Sequence, residues 1–214
     1  MRFNEEFTEE TLSKNNREYD GYYSKYNDGS REKTVAWSDK NSQTKNFKMV
    51  SNYISNNDSI LDYGCGIGDF IKHLSKNKSI SDYLGVDINK NFINSAETYY
   101  PDNKFQLIKN VNDISGKWDS VCAIGVFTWF ITKNDFIETI NKLYEICNKQ
   151  LLITCLYNID INYNDENYWK YNYREYNEDM FIEFFPNLKI EFIHHSGREA
   201  YPGASGTMLV KINK

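Results

Sequence analysis

Through the middle of the chain the hydrophobic residues follow two rhythms in turn, short unbroken apolar runs and stretches in which they return every three or four positions. Phe47, Val50 and Ile54 predict an amphipathic helix that Ser42 caps and Asn56-Asn57-Asp58 ends. A strand is expected at 59–63, a helix from about 69 to 77, strands at 83–87 and 105–108 around a helix at 90–99, and a strand at 118–124. Then come a helix from about 134 to 147, with Phe136, Ile140, Leu143 and Ile146 on one face, and a strand at 150–155. Such alternation is the pattern of crossover units on a parallel sheet. Residues 157–176 break it as a polar, Tyr-rich insertion, followed by a short helix through Met180 and Phe181 that stops at Pro186. Two strand-like runs, 189–194 and 207–212, suit a terminal antiparallel hairpin.

Composition adds boundaries. The 214 residues suit one domain, and a net charge of −5 supplies no basic field for a polyanion, so nucleic acid is disfavoured as the main partner. The N-terminus MRFNEEFTEE lacks the charge and apolar run of a signal peptide, and no apolar stretch approaches the roughly 18 residues of a membrane span. A cytoplasmic protein without a membrane partner is expected. Cys65, Cys122, Cys147 and Cys155 form no close pair, which indicates reduced, mostly buried thiols and neither a disulfide framework nor a metal cluster.

Chemistry concentrates where the first predicted strand runs into Asp62-Tyr63-Gly64-Cys65-Gly66-Ile67-Gly68-Asp69 and opens a helix. Glycines there let a ligand press against the main chain, and free N–H groups favour an electron-rich group. The spacing differs from the dinucleotide fingerprint: the third glycine comes one place early, and Asp69 stands where that glycine would be, a charge that would repel a pyrophosphate. Asp62 adds a carboxylate able to attract an ammonium. Asp87, ending the second strand, can accept two hydrogen bonds from a ribose diol. Together they describe an adenosine ribose joined to an amino acid.

On these residues the sequence resembles the class I S-adenosylmethionine-dependent methyltransferases, over about residues 42–156. The resemblance implies a Rossmann-like three-layer α/β sandwich, with a seven-stranded, mostly parallel sheet whose last strand is antiparallel. It implies S-adenosyl-L-methionine as cofactor and S-adenosyl-L-homocysteine as product. Gly64, Cys65, Gly66 and Gly68 would lie under the methionine part, Asp87 would hold the ribose, Ile88 would pack on the adenine, and Asp113 beside Ile114 would meet the adenine edge. Gly125 and Phe127 end the fourth strand, where the family lines the methyl-transfer site, and neither a Pro-Pro-aromatic run nor a Pro-Cys nucleophile is present there. Residues 1–41, with Tyr22, Tyr26 and Trp37, resemble a lid, and Gln43 resembles a cofactor contact from the helix that follows.

The acceptor is less defined. Tyr26, Phe127 and Trp169 are candidate contacts, and His194, His195 and Tyr157 are candidates for a general base that the sequence does not single out. A small molecule with a reactive O or N (a sugar, an organic acid or a metabolite intermediate) is the leading expectation. RNA or protein methylation, a non-catalytic cofactor-binding subunit and an NAD-binding oxidoreductase stand as alternatives. Assembly is open between a monomer and a homodimer.

Overall fold

The computed structural model describes residues 19–26, 29–35, 37, 39–128, 133–159, 176–196 and 204–214. The helical stretch 19–26 (α1) and the short Arg31–Thr34 (α2) precede Lys40–Ser51 (α3). Alternating elements follow: Ser59–Tyr63 (β1), Asp69–Leu74 (α4), Asp82–Asp87 (β2), Lys90–Tyr99 (α5), Lys104–Leu107 (β3), Trp118–Ile124 (β4), Lys133–Glu145 (α6) and Cys147–Ile159 (β5). Glu178–Phe184 (α7), Lys189–Ser196 (β6) and Ala204–Asn213 (β7) complete the described chain. No helix among the described residues is long and apolar enough to cross a membrane.

The seven strands lie in the order β3-β2-β1-β4-β5-β7-β6, with β7 antiparallel to both its neighbours and the other pairs parallel. Because β1 to β3 grow to one side and β4 and β5 to the other, the order reverses at β1 and β4, and the crevice at their carboxyl ends is where such sheets take ligands.

Both faces are covered. Ile60, Cys122, Leu152 and Leu209 pack with Phe47 and Val50 of α3 and Phe70 of α4, while Leu61, Val121, Leu151 and Val210 pack with Phe136 and Ile140 of α6 and Phe181 of α7. Strands buried on both sides read as continuous apolar runs, which is why β1, β4 and β5 stand out in the sequence.

Several of the expected boundaries move. Asp39, and not Ser42, caps α3: its Oδ1 accepts from the Asn41 and Ser42 amides at 2.8 and 2.9 Å, and Ser42 Oγ donates to its Oδ2 at 3.0 Å. Ser42 therefore lies inside the helix, buried. α4 ends at Leu74, short of the expected 77, and β5 continues to Ile159, so Tyr157 belongs to the sheet and pairs with Gly206. All four cysteines are free and buried.

Candidate functional site

The turn after β1 is fixed through the backbone of β2. The amides of Gly64 and Cys65 donate to the Val86 carbonyl at 2.8 and 3.0 Å, and the Gly66 amide donates to Asp87 Oδ2 at 2.9 Å. The other oxygen, Asp87 Oδ1, accepts from the Asn89 amide at 2.9 Å. One carboxylate thus ties the glycine loop to the turn into α5, with further lone pairs on each oxygen for a ligand. Burial pushes its pKa up to about 6, opposed by the amides of Asn89, Gly66 and Ile88.

Gly64 holds φ +73°, and a Cβ there would stand 2.4 Å from Val126 Cγ2. Gly64→Ala is expected to lower stability by about 1–3 kcal/mol, from left-handed backbone strain and overpacking. Chemical denaturation checks this, and an unchanged midpoint would contradict the packing.

Asp62 lies one residue before the end of β1, 2% exposed, with the Tyr83 hydroxyl donating to its Oδ2 at 2.7 Å. Burial raises its pKa to about 7, the Tyr83 hydrogen bond opposes the rise, and the charge of Asp87 adds to it. Two buried carboxylates therefore sit together, an arrangement that favours a cationic ligand group beside them.

The N-terminal residues cover this region. Tyr19 packs edge-on against Phe92 at 5.7 Å, the Tyr23 hydroxyl lies 2.9 Å from Ser95 Oγ, and Asp20 Oδ1 accepts from the Asn89 side chain at 3.0 Å. Arg31 is the firmest attachment: Nη2 lies 2.7 Å from Asp69 Oδ1 and donates to the Tyr100 hydroxyl at 2.7 Å, and the guanidinium stacks 3.9 Å over the Tyr99 ring. This corrects the reading of Asp69 as a charge set against a pyrophosphate. Its charge is already matched by Arg31, so the electrostatic preference for an ammonium over a phosphate rests on Asp62.

A cleft of about 530 Å³ opens between this cover and the strand ends. Three buried polar atoms of residues lining it, Gln43 Nε2, Asp69 Oδ2 and Thr207 Oγ1, have no hydrogen-bond partner among the described residues. An unmade bond at a buried donor is costly, so Gln43 and Thr207 are the two donors in this lining that would gain most from a further partner. Gln43 Oε1 is engaged by Lys40 Nζ at 3.0 Å, which leaves the amide nitrogen as the unpartnered donor of this lining residue.

Comparison with known proteins agrees with this geometry. Residues 61–150, which include β1, the glycine loop and Asp87, match the model of a family described as a methyltransferase domain. Over this stretch the chain is similar to a methyltransferase domain. A putative methyltransferase, 235L, of Invertebrate iridescent virus 6 is 24% identical over 114 residues, covering 53% of this chain and 43% of that protein. The chain thus spans less than half the length of the curated relatives it matches. Among solved structures, magnesium protoporphyrin IX methyltransferase from Synechocystis PCC 6803 with bound S-adenosylmethionine superposes with a TM-score of 0.62 at 14% identity, over 81% of this chain and 80% of that one. The [4+2]-cyclase SpnF superposes with a TM-score of 0.67 at 11% identity, over 84% of each chain. At such identities the likeness is one of fold.

The strand ends of the sheet and their cover bring most of the sequence candidates to one cleft. Asp62, Gly64, Cys65, Gly66, Asp87 and Ile88 line it from β1, β2 and their turns. Trp37, Gln43, Gly125 and Phe127 line it from the cover, α3 and the end of β4. Gly68 lies outside the lining, packed beneath Tyr100 and Phe105. Asp113 also lies outside it, because its carboxylate accepts from the Lys109 amide at 2.7 Å and caps its own turn, while Ile114 is core; Lys109 to Asn112 form the wall there.

Tyr22 and Tyr26 stack on each other at 6.3 Å, away from the lining. His194 and Tyr157 meet outside it as well, their rings 4.4 Å apart, with His194 Nε2 held 2.5 Å from Glu178 Oε1. The His195 backbone pairs with Thr207, but its side chain and the whole of Trp169 lie outside the described residues. Asn46 and Thr207 line the cleft without having been singled out in the sequence, since an isolated polar residue on a strand or helix carries no pattern.

Proposed function

We propose that this chain binds S-adenosyl-L-methionine in the cleft and transfers its methyl group to an oxygen or nitrogen of a small-molecule acceptor, leaving S-adenosyl-L-homocysteine. The observation that carries this reading is the convergence of Asp62, the glycine loop and Asp87 on one cleft. The donor set fits the cofactor: Asp87 for the ribose diol, Asp62 for the ammonium, the orphan Gln43 amide for the carboxylate, and Ile88 with the Lys109–Asn112 wall for the adenine. When bound, the cofactor supplies an electrophilic sulfonium methyl. The chain's own part is alignment and exclusion of water, with Trp37 and Phe127 as apolar walls and residues 19–26, 29–35 and 37 as a cover.

Charge narrows the acceptor. Apart from Asp69, whose charge Arg31 matches, the charged side chains lining the cleft are Asp62, Asp87, Asp135 and Glu138 against Lys109. This balance supports a neutral or cationic acceptor over an organic acid or a nucleic acid. Calorimetric titration of the ligand-free protein with S-adenosylmethionine, S-adenosylhomocysteine and NAD tests the cofactor reading. Binding of the first two without NAD is expected, and NAD binding alone would overturn it.

A further inference from the structure

Tyr83, Gly85 and Asp87 alternate onto one face of β2, beside Ile60 and Asp62 of β1, with which they are in parallel register. Gly85 leaves the middle of that row without a side chain. The space is taken by Phe105 and Cys65, whose atoms would lie 2.7 and 3.0 Å from a Cβ at that position. The Tyr83 ring, 5% exposed, packs edge-on to Phe105 at 5.9 Å, and its hydroxyl reaches Asp62. For packing alone phenylalanine would serve; a hydroxyl buried here needs the partner it has.

Resting on the cofactor reading above, we propose that Tyr83 is a positioning residue for the amino-acid end of the ligand: its hydroxyl fixes Oδ2 of Asp62, so that the carboxylate presents its other oxygen to the ligand's ammonium. A donated hydrogen bond also favours the charged form of the carboxylate, against the burial that disfavours it. The titratable groups around Asp62 are Tyr83 and Asp87 from β2, Cys65 from the loop and Cys122 from β4. Burial drives both thiols and the phenol well above their ordinary values, so Asp87 is the neighbour whose charge changes in the same range as Asp62.

Two ligands separate the carboxylates. S-adenosylhomocysteine carries the ammonium, whereas 5′-methylthioadenosine keeps the ribose and adenine and lacks the amino-acid head. Both respond to Asp87, and the ratio of their affinities isolates Asp62. Titration of the wild type between about pH 5.5 and about pH 8.5 should show this ratio climbing with pH, half-way up near pH 7 and levelling about one unit above that. Tyr83→Phe removes only the hydroxyl, raises the pKa of Asp62 and should move the climb upward by about one pH unit. Near pH 6.5 the ratio then falls roughly tenfold and recovers in alkali. Asp62→Asn should make the ratio low and independent of pH.

Equal weakening of both ligands by Tyr83→Phe, with the climb unmoved, would mean a packing role and overturn the proposal. A flat ratio in the wild type would overturn it without needing the variant. Binding of neither ligand by the wild type would overturn the cofactor reading and this proposal with it, whereas binding of both leaves that reading intact whatever the ratio does.

Discussion

Phe136→Ala is expected to destabilise the protein by about 3–5 kcal/mol, the range for removing a fully buried aromatic ring. The ring is completely buried, with centroids of Tyr176, Phe127 and Phe181 at 5.2, 5.3 and 5.5 Å and Phe185 at 6.0 Å. It joins α6 to α7 and to the turn after β4 that carries Phe127. Urea unfolding measures the loss, and Phe136→Leu, which keeps most of the volume, should cost about 1.5 kcal/mol or less. Since Phe127 lines the cleft, the loss reaches the site as well as the core. An Ala variant as stable as the wild type would mean that these aromatics do not form one cooperative unit.

Asp87→Ala is the corresponding experiment for the site. It removes the proposed ribose acceptor and leaves the Gly66 and Asn89 amides without their shared partner. Affinity for S-adenosylhomocysteine should fall by about 1.5–3 kcal/mol, the range for hydrogen bonds to a charged group, or roughly ten- to a hundredfold. Asp87→Asn, which keeps one acceptor oxygen, should fall between. Calorimetry on variants whose circular dichroism matches the wild type reads the effect, and an unchanged Kd in a folded Ala variant would sink the ribose assignment.

The sheet was legible because burial has a period. Ile60 and Leu61, and Leu151, Leu152 and Ile153, are apolar in succession because opposite layers bury them, and Phe136, Ile140 and Leu143 recur because one stripe of α6 meets the sheet. The cap of α3 was not legible: Asp39 and Ser42 are both good capping residues, and the polar residues around them carry no apolar period to choose between them.

The glycine loop and Asp87 could be read because their chemistry is compressed into two short segments. Asp69 misled because its partner, Arg31, lies 38 residues away in the chain and belongs to no motif. Tyr83 was hidden for a related reason. An aromatic residue at the start of a strand fits a β pattern completely, and only the fold shows its hydroxyl arriving at Asp62.

The two halves of the cleft are fastened by different forces. Its floor is held by buried backbone amides on Val86 and Asp87, whereas its cover is fastened at Arg31, whose side chain is 33% exposed. Dissolved salt weakens an ion pair open to solvent far more than bonds shut away from it. Ionic strength therefore loosens the cover while leaving the floor in place, and ligand residence time, more than equilibrium stability, is the quantity that should respond to it.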